Sequence, residues 1–326
     1  MNKYRLVEAP IDENWDKLIE DSENGTAFAT RAYLESVGMP IDSYYCLKGD
    51  EPMAAFFVPV NKQRTKAIGH DFIIYDGLIY RNFPKLNRSQ RFSEQFKIQE
   101  AVSNALVDRY ESIRLSLHPS IKDIRPFLWF NYGTDLLKYK INLRYTSYVY
   151  IGDFASSEKL EDIEIYKEAS VARRQEIRYA IKKDVMTEES LDINGFISYY
   201  LMTMERQEIV VDEIVQQQMS LLLNRLIKRG MILQIVSKDA TERIGSRAIY
   251  LIDNKRAYYL FGASDPKMRS SHTGTAVLWD AFYKLSRRGI KVVDLEGINS
   301  PNRGWFKLSF GGEINPYYEV SIKDDK

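Results

Sequence analysis

An α/β protein built from two similar halves is what this sequence predicts, and three observations predict it. The chain has 326 residues, enough for about two domains of ordinary size. Helical and strand-type segments alternate along it. One order of elements, helix, strand, short aromatic element, strand, occurs twice, and both copies carry a Trp-Phe pair: Trp129-Phe130 and Trp305-Phe306.

The C-terminal half is the more legible. YKEASVARRQEIRYAIKKD (166–184) has helix formers throughout and no breaker, so it is read as one helix. FISYYLMTMERQE (196–208) and DEIVQQQMSLLLNRLIKRG (212–230) are two more; the second ends on Lys228, Arg229 and Gly230, a C-terminal signal. The segments 231–238, 245–254 and 255–265 alternate and are β-branched or aromatic, with Asp253-Asn254-Lys255 as a hairpin turn. SHTGTAVLWDAFYKLSRRG (271–289) places apolar residues at 277, 278, 281, 282 and 285, an amphipathic helix. KVVDLEGI (291–298) is a strand, GWFKLSFGG (304–312) a short element, and PYYEVSI (316–322) the last strand. In the N-terminal half, 44–60 is a hairpin around Gly49-Asp50, 91–110 a helix, 112–119 a strand, 124–133 a short aromatic element and 145–151 a strand. The polar, acidic stretch GDFASSEKLEDIEI (152–165) is the natural linker. The expected domains are therefore 1–151 and 152–326, each a mixed, mostly antiparallel sheet flanked by helices.

Composition removes several function classes. Lys plus Arg (46) nearly equals Asp plus Glu (45), so no net charge drives the protein onto DNA or an anionic membrane. The lone Cys46 cannot form an intramolecular disulfide, and the N-terminus lacks an apolar leader; both point to a cytoplasmic protein. No apolar run reaches the length of a membrane span. His70, His118 and His272 are scattered without metal-ligand spacing, so no metal site is expected. GxGxxG, GxxxxGK[ST] and GxSxG are all absent, against dinucleotide, P-loop and hydrolase-elbow readings.

Three groups of residues carry the candidate chemistry. In GWFKLSFGG, Lys307 sits between two aromatic pairs, either with its stem laid over the rings or with its ammonium directed into a site where negative charge develops. Asn131 holds the matching place in the first copy, so the shared fold does not demand the lysine. A charge in a poorly hydrated cleft is costly, so Lys307→Met is expected to leave the melting temperature level or raise it. Asp294 and Glu296 alternate on one strand and so share a face; a carboxylate pair can accept a proton if one member's pKa is raised by the other, or it can be a wet strand end. Arg174, Arg178 and Lys182, at i, i+4 and i+8, form one cationic stripe, a solvated face or an anion contact.

The succession YTSYVYIGD, ARRQEIRYAIKK, AYYLFGASD, a helix, VVDLEGIN and GWFKLSFGG resembles the FemAB-like branch of the GNAT acyltransferases, tandem GNAT-like proteins that include peptidoglycan aminoacyltransferases and relatives in cell-surface glycan pathways. The resemblance covers most of the chain and is clearest over 145–312. It implies two tandem GNAT-like domains and an acyl donor, an acyl-coenzyme A co-substrate rather than a permanently bound cofactor, held by a Gly-containing loop at a helix start. The family loop opens with Gln or Arg, then two residues, Gly, one residue, and Gly or Ala. Ser271, Thr273, Gly274, Thr275 and Ala276 occupy it here, with serine in the first place and Arg269 two residues earlier as a possible substitute. The same segment also suits a plain N-capped helix start.

In aminoacyl-transferring relatives a Phe-Lys pair polarises the transferring carbonyl, which Phe306-Lys307 matches, and arginines of the 166–184 helix contact acceptor phosphates, which implies that role for Arg174, Arg178 and Lys182. The long helical hairpin of classical peptidoglycan aminoacyltransferases is missing between 184 and 196. The resulting expectation is an N-acyltransferase acting on an amine of a cell-surface glycan precursor or amino sugar nucleotide. The alternatives are an aminoacyl-tRNA-dependent aminoacyltransferase, for which tRNA would be a partner, and a non-catalytic binding module with a degenerate cleft.

Overall fold

The structure, a computed structural model, describes residues 3–323, apart from the side chain of Asn302. It divides into two compact units, Met1–Arg144 with Pro316–Lys326, and Tyr145–Asn315. This differs from the expected division at 151/152. The strand read at 145–151 belongs with the second unit, and the last strand belongs with the first, because each strand pairs with the half of the chain that did not precede it.

The first half runs β1 (Tyr4–Glu8), α1 (Glu13–Asp21), α2 (Arg31–Val37), β2 (Ile41–Lys48), β3 (Glu51–Pro59), β4 (Lys66–Ala67), β5 (Gly77–Tyr80), α3 (Arg88–Arg109), β6 (Ser112–Ser116), α4 (Arg125–Leu128) and β7 (Lys140–Tyr150). After α5 (Glu164–Glu168) and α6 (Val171–Lys182), the second half runs β8 (Met186–Glu189), α7 (Ile193–Glu205), α8 (Glu213–Lys228), β9 (Ile232–Lys238), β10 (Ile244–Ile252), β11 (Ala257–Ser264), α9 (Thr273–Arg287), β12 (Val292–Asp294), α10 (Pro301–Leu308) and β13 (Glu313–Ile322). With the short β4 set aside, the two orders are the same. That is the duplication the sequence suggested, extended to elements it did not show.

Strand pairing repeats as well. In the first unit β1, β2, β3 and β5 form an antiparallel sheet, and β6 runs parallel to β4 and antiparallel to β13, with Glu319 opposite Ser116. In the second unit β8, β9, β10 and β11 are antiparallel, and β12 runs parallel to β11 and antiparallel to β7, with Asp294 opposite Tyr148. The closing strand of each half thus pairs with a strand of the other half, β13 with β6 and β7 with β12.

Local chemistry explains where the elements begin. Asn87 and Gln90 form a reciprocal capping box that starts α3. The helix read as continuous over 166–184 is broken, because Ser170 turns its hydroxyl to the Arg173 N–H and caps a new helix, α6. The supposed linker is not free chain. Phe154, Ile163 and Ile165 are buried in the second unit's core with Ile177, Trp279, Phe282 and Phe310, so its polar residues are the outer face of packed turns.

The Gly311-Gly312 pair also finds its reason. Gly311 has φ +85°, and a Cβ at Gly312 would lie 2.2 Å from the Ser147 hydroxyl and 3.0 Å from Val149 Cγ2. Gly312→Ala should therefore cost about 1–3 kcal/mol through overpacking. Gly297→Ala, where nothing lies within 4 Å of the added carbon, should be nearly neutral. Equal melting temperatures for the two variants would refute the close approach.

Candidate active site

The site begins where two parallel strands part. β11 and β12 are in register at only two positions, Ala257 with Val293 and Tyr258 with Asp294. Beyond them β12 stops, since Glu296 takes φ +51° and leaves the extended conformation. The strand-alternation argument for Asp294 and Glu296 therefore fails at the second residue. A turn brings them together instead, with the Glu296 N–H donating to Asp294 Oδ1 at 2.8 Å. The same Oδ1 accepts from the hydroxyl of Thr146 on β7. Asp294 has no exposed surface and Glu296 is buried as well, with its Oε1 lacking a hydrogen-bond partner.

Helix α10 delivers Lys307 into this opening. Pro301 pre-sets the first turn, and Gly304 lets the helix lie against the carbonyl of Ile298, which a Cβ would approach to 2.7 Å. Phe306 and Phe310 pack edge to face, 5.6 Å between centroids, and Phe310 packs on Phe282 in the same way. The half-buried Lys307 donates from Nζ to the carbonyls of Leu295 (2.6 Å) and Glu296 (2.9 Å) and lies 5.1 Å from the Tyr259 ring centroid. Those carbonyls stand just past the end of β12, where strand pairing no longer serves them. Lys307 thus has a structural duty that the comparison with Asn131 did not suggest. Asn131 itself lies beyond α4, at φ +54°, and holds the Leu137 carbonyl of its own loop.

Burial pulls the Lys307 ammonium down to about 8, against the opposing pull of Glu296 and Asp294. Burial first, and then the charge of Asp294, push the Glu296 carboxyl well above the ordinary carboxylate range, with Lys307 opposing. Tyr148, across from Asp294, is raised by burial and the same carboxylate, and accepts from Arg256 Nη1 at 3.4 Å. An amine and an acid whose proton affinities have moved toward each other can exchange protons with a substrate near neutral pH.

The expected donor loop lies at the start of α9, preceded by a 3₁₀ turn over Pro266–Ser271 and by His272 at φ +63°. Thr273, Thr275 and Ala276 are buried, so what this loop offers a ligand is its backbone. Gly274 has room beside it: an added Cβ would meet only Ser246 Oγ at 3.7 Å and Ser264 Oγ at 3.9 Å. Arg269 is exposed. The cation held against the loop is one the sequence reading missed: Lys183 donates to the Ser270 carbonyl at 2.9 Å and lies 3.1 Å from His272 Nε2, and His272 Nδ1 lies 2.5 Å from Glu176. An open pocket of about 460 Å³ beside them is lined by Lys183, Asp184, Asp239, Ala240, Thr241 and Ser271.

The cationic stripe stays at the surface of α6. Arg174 donates to the Lys167 carbonyl, Arg178 to the Tyr166 hydroxyl, and Lys182 is exposed. Their neighbour Arg173, also missed, is the arginine turned inward. It lies 4.5 and 4.4 Å from the ring centroids of Phe306 and Phe310, donates to Ser309 Oγ at 2.9 Å and to the Thr275 hydroxyl, and is drawn down to about 10 by burial. It joins α10 to the first turn of α9. Its signal was present in the sequence: Arg173 falls in phase with the apolar Ile177 and Ala180, on the inward face of α6.

Among the described residues no helix is long and apolar enough to cross a membrane, and no cluster of His, Cys, Asp and Glu could hold a metal ion. Residues 167–305 match the acetyltransferase (GNAT) domain family, a match that spans α6 to most of α10 and ends just before Phe306-Lys307. No curated protein matches the sequence significantly. Among solved structures the fold is similar to that of FemX, at 11% identity and TM-score 0.62 over 96% of each chain. It is also similar to a tandem GNAT protein from the clavulanic acid biosynthesis pathway, at 10% identity and TM-score 0.53 over 98% of each chain. L-PGS from Bacillus licheniformis is similar at 12% identity and TM-score 0.53, over 98% of this chain and 94% of that one. Fold and family match together define the class, an acyltransferase of the GNAT type. Within that class the match over residues 167–305 is to the GNAT domain, and the fold over nearly the whole chain is similar to that of FemX.

Two outcomes follow from this geometry. Lys307→Met removes the donor from two backbone carbonyls and should lower stability by about 1–3 kcal/mol, contrary to the expectation drawn from the cost of a charge in a cleft; an unchanged melting temperature would remove the structural duty. Glu296 binds its proton more tightly folded than unfolded, so its contribution is complete below the ordinary value of 4.5 and is lost as pH rises toward the folded pKa. Glu296→Gln, which mimics the neutral acid, should therefore gain stability relative to the parent as pH rises above about 5. Parallel stability curves for the two proteins would contradict the raised pKa.

Proposed function

We propose that the protein is an N-acyltransferase that moves an acyl group from a coenzyme A thioester to an amine on a cell-surface glycan precursor or amino sugar nucleotide. The observation that carries this reading is the pairing of Lys307 with Glu296 at the mouth of the opening between β11 and β12: an ammonium shifted to about 8 beside a buried acid with an unpartnered oxygen. In the proposed step the acceptor nitrogen attacks the acyl carbonyl carbon and the new C–N bond forms. The nitrogen's proton passes to the ionised form of Glu296, the C–S bond breaks, and the thiolate departs to be protonated. Lys307 has used two of its three donors on backbone carbonyls, and the third is available to the carbonyl oxygen as it gains charge. The donor's phosphates would rest on the backbone of the Gly274 loop, with Lys183 as the nearby cation. Half-buried Arg174 and exposed Arg178 and Lys182, on the outer side of α6, remain available to acceptor phosphates.

A second reading draws on the match to FemX over nearly the whole of both chains: an amino acid carried by tRNA would be the acyl group and a peptidoglycan precursor the acceptor. Calorimetry with acetyl-coenzyme A separates the two. The parent should bind it, and Gly274→Glu, whose added carboxylate repels the pyrophosphate, should not. Absence of binding together with activity abolished by ribonuclease would establish the tRNA-dependent reading. Once a turning-over substrate pair is in hand, Lys307→Met and Glu296→Gln should each lower turnover by about a hundredfold, the usual cost of losing one transition-state donor. Full activity in both would leave the cleft a binding site without chemistry.

A further inference from the structure

The two copies of the fold differ after their short helices. In the second, α10 reaches β13 across 309–312 alone, whereas in the first the chain runs from 129 to 139 between α4 and β7. The fold does not require this extra length, since the second copy closes without it. Nor is the segment loose. The Asn131 side chain donates to the Leu137 carbonyl at 2.7 Å, and the Thr134 hydroxyl both donates to the Asn131 carbonyl and accepts from the Leu136 N–H. A chain that ordered is expected to turn its apolar side chains inward, and Phe127 and Tyr139 at its base are indeed buried. Between them Phe130 still packs on Tyr139, but the other large apolar side chains do the opposite. Trp129 is 51% exposed, Leu136 64% and Tyr132 79%. Scattered exposed apolar residues need no explanation, but a self-bonded loop that displays a Trp, a Tyr and leucines does.

Charge decides what could cover this surface. Exposed Lys138 and Lys140 follow the apolar tip, and exposed Lys122 precedes it. Asp123 is already held by Arg125 in a two-point ion pair at 2.8 and 2.6 Å, which leaves Asp135 as the free acid of the segment. Trp and Tyr at a tip with leucines between them and cations behind suit the boundary between acyl chains and anionic headgroups. We infer that the 128–140 loop of the first unit is a peripheral docking surface for an anionic bilayer, touching it without crossing it. The loop belongs to the first unit, and the inference does not depend on the acyl-transfer reading.

Co-sedimentation of the full chain with vesicles tests the inference. Vesicles of phosphatidylglycerol and phosphatidylcholine in equal parts should carry the protein down. Vesicles of phosphatidylcholine alone, or high salt, should weaken binding by about tenfold or more. The double variant Tyr132→Ser, Leu136→Ser should lower binding about tenfold, and its circular dichroism and melting temperature should match the parent because both side chains are exposed. A second measurement does not rely on that variant: in a Trp305→Phe background, brominated phosphatidylglycerol should quench Trp129, while the buried Trp15 and Trp279 stay bright. Binding that ignores lipid charge or the double substitution, or fluorescence left unquenched, would overturn the proposal. So would a concentration-dependent dimer that the double variant abolishes, which would assign the surface to a second copy of the chain.

Discussion

Two backbone carbonyls, those of Leu295 and Glu296, are where the second unit meets its main physical constraint. Opening a cleft between parallel strands takes inter-strand hydrogen bonds away from polar groups that stay inside the protein, and such groups are costly when unserved. Here the ammonium of Lys307 serves both carbonyls from across the opening. Much of the surrounding structure follows from that arrangement. Helix α10 must lie close enough for the lysine to reach, so Gly304 faces Ile298 and Gly312 faces Ser147 with no room for a side chain. The aromatic pair of α10 must be anchored, and Phe282 and the Arg173 guanidinium anchor it. The same burial that makes the lysine useful to the fold lowers its proton affinity to about 8.

Stability and chemistry are therefore not separable assignments for this residue. From sequence they looked like rival explanations: a stem lying over aromatics, or an ammonium in a reactive cleft. The structure gives Lys307 a backbone duty that uses two donors and leaves a third. The neighbouring acid is arranged on the same economy of groups. Asp294 is occupied with the Thr146 hydroxyl and the Glu296 N–H, while Glu296 keeps an oxygen without a partner. A buried polar atom without a partner is rare enough to call for an explanation, and a substrate proton is the one the proposed reaction supplies.

What the sequence made legible was the periodic part of the protein. The strands and helices from 196 to 289, and the repeated order around the Trp-Phe pairs, follow from alternation and amphipathicity, which act over neighbouring residues. The exchange of closing strands was not legible, because nothing local in YTSYVYI or PYYEVSI states which half of the chain they will pair with. The break at Ser170 was hidden for a different reason: a serine inside a run of helix formers caps or continues the helix depending on where the chain must go next. Near the site, Lys307 stood out as a charge among aromatics, Asp294 and Glu296 as alternating carboxylates, and Phe306 through the family resemblance. Arg173 did not, although it falls in phase with Ile177 and Ala180, because its charge sets it among the other cations of the helix; Lys183 did not because its contact with Ser270 and His272 joins residues far apart in the chain. The geometry of Glu296 was misjudged because strand alternation was extended past the point where the strand ends.

The first unit shows what the same topology becomes without the lysine. Its β5 and β6 also meet briefly, at Asp76 and Ser116, where Asp76 bonds the Ser116 carbonyl with its own N–H and the Ser116 N–H with its carboxylate, at 2.9 and 2.7 Å. Beyond that contact no cleft is kept. Gly77, at φ +83°, packs on Leu117, Leu115 and Phe56, and Tyr75 makes edge-to-face contacts with His118 and Tyr317. Burial pushes the Asp76 carboxyl up to about 8, but it lies within this packed apolar and aromatic surround. Both copies thus bury a carboxyl with an unpartnered oxygen, Asp76 in the first and Glu296 in the second, but only the second adds a lysine and two carbonyls unpaired by any strand beside it. Keeping that larger polar group inside bears a cost in stability that packing alone would not require, and that cost supports the proposal that the chemistry lies in the second unit.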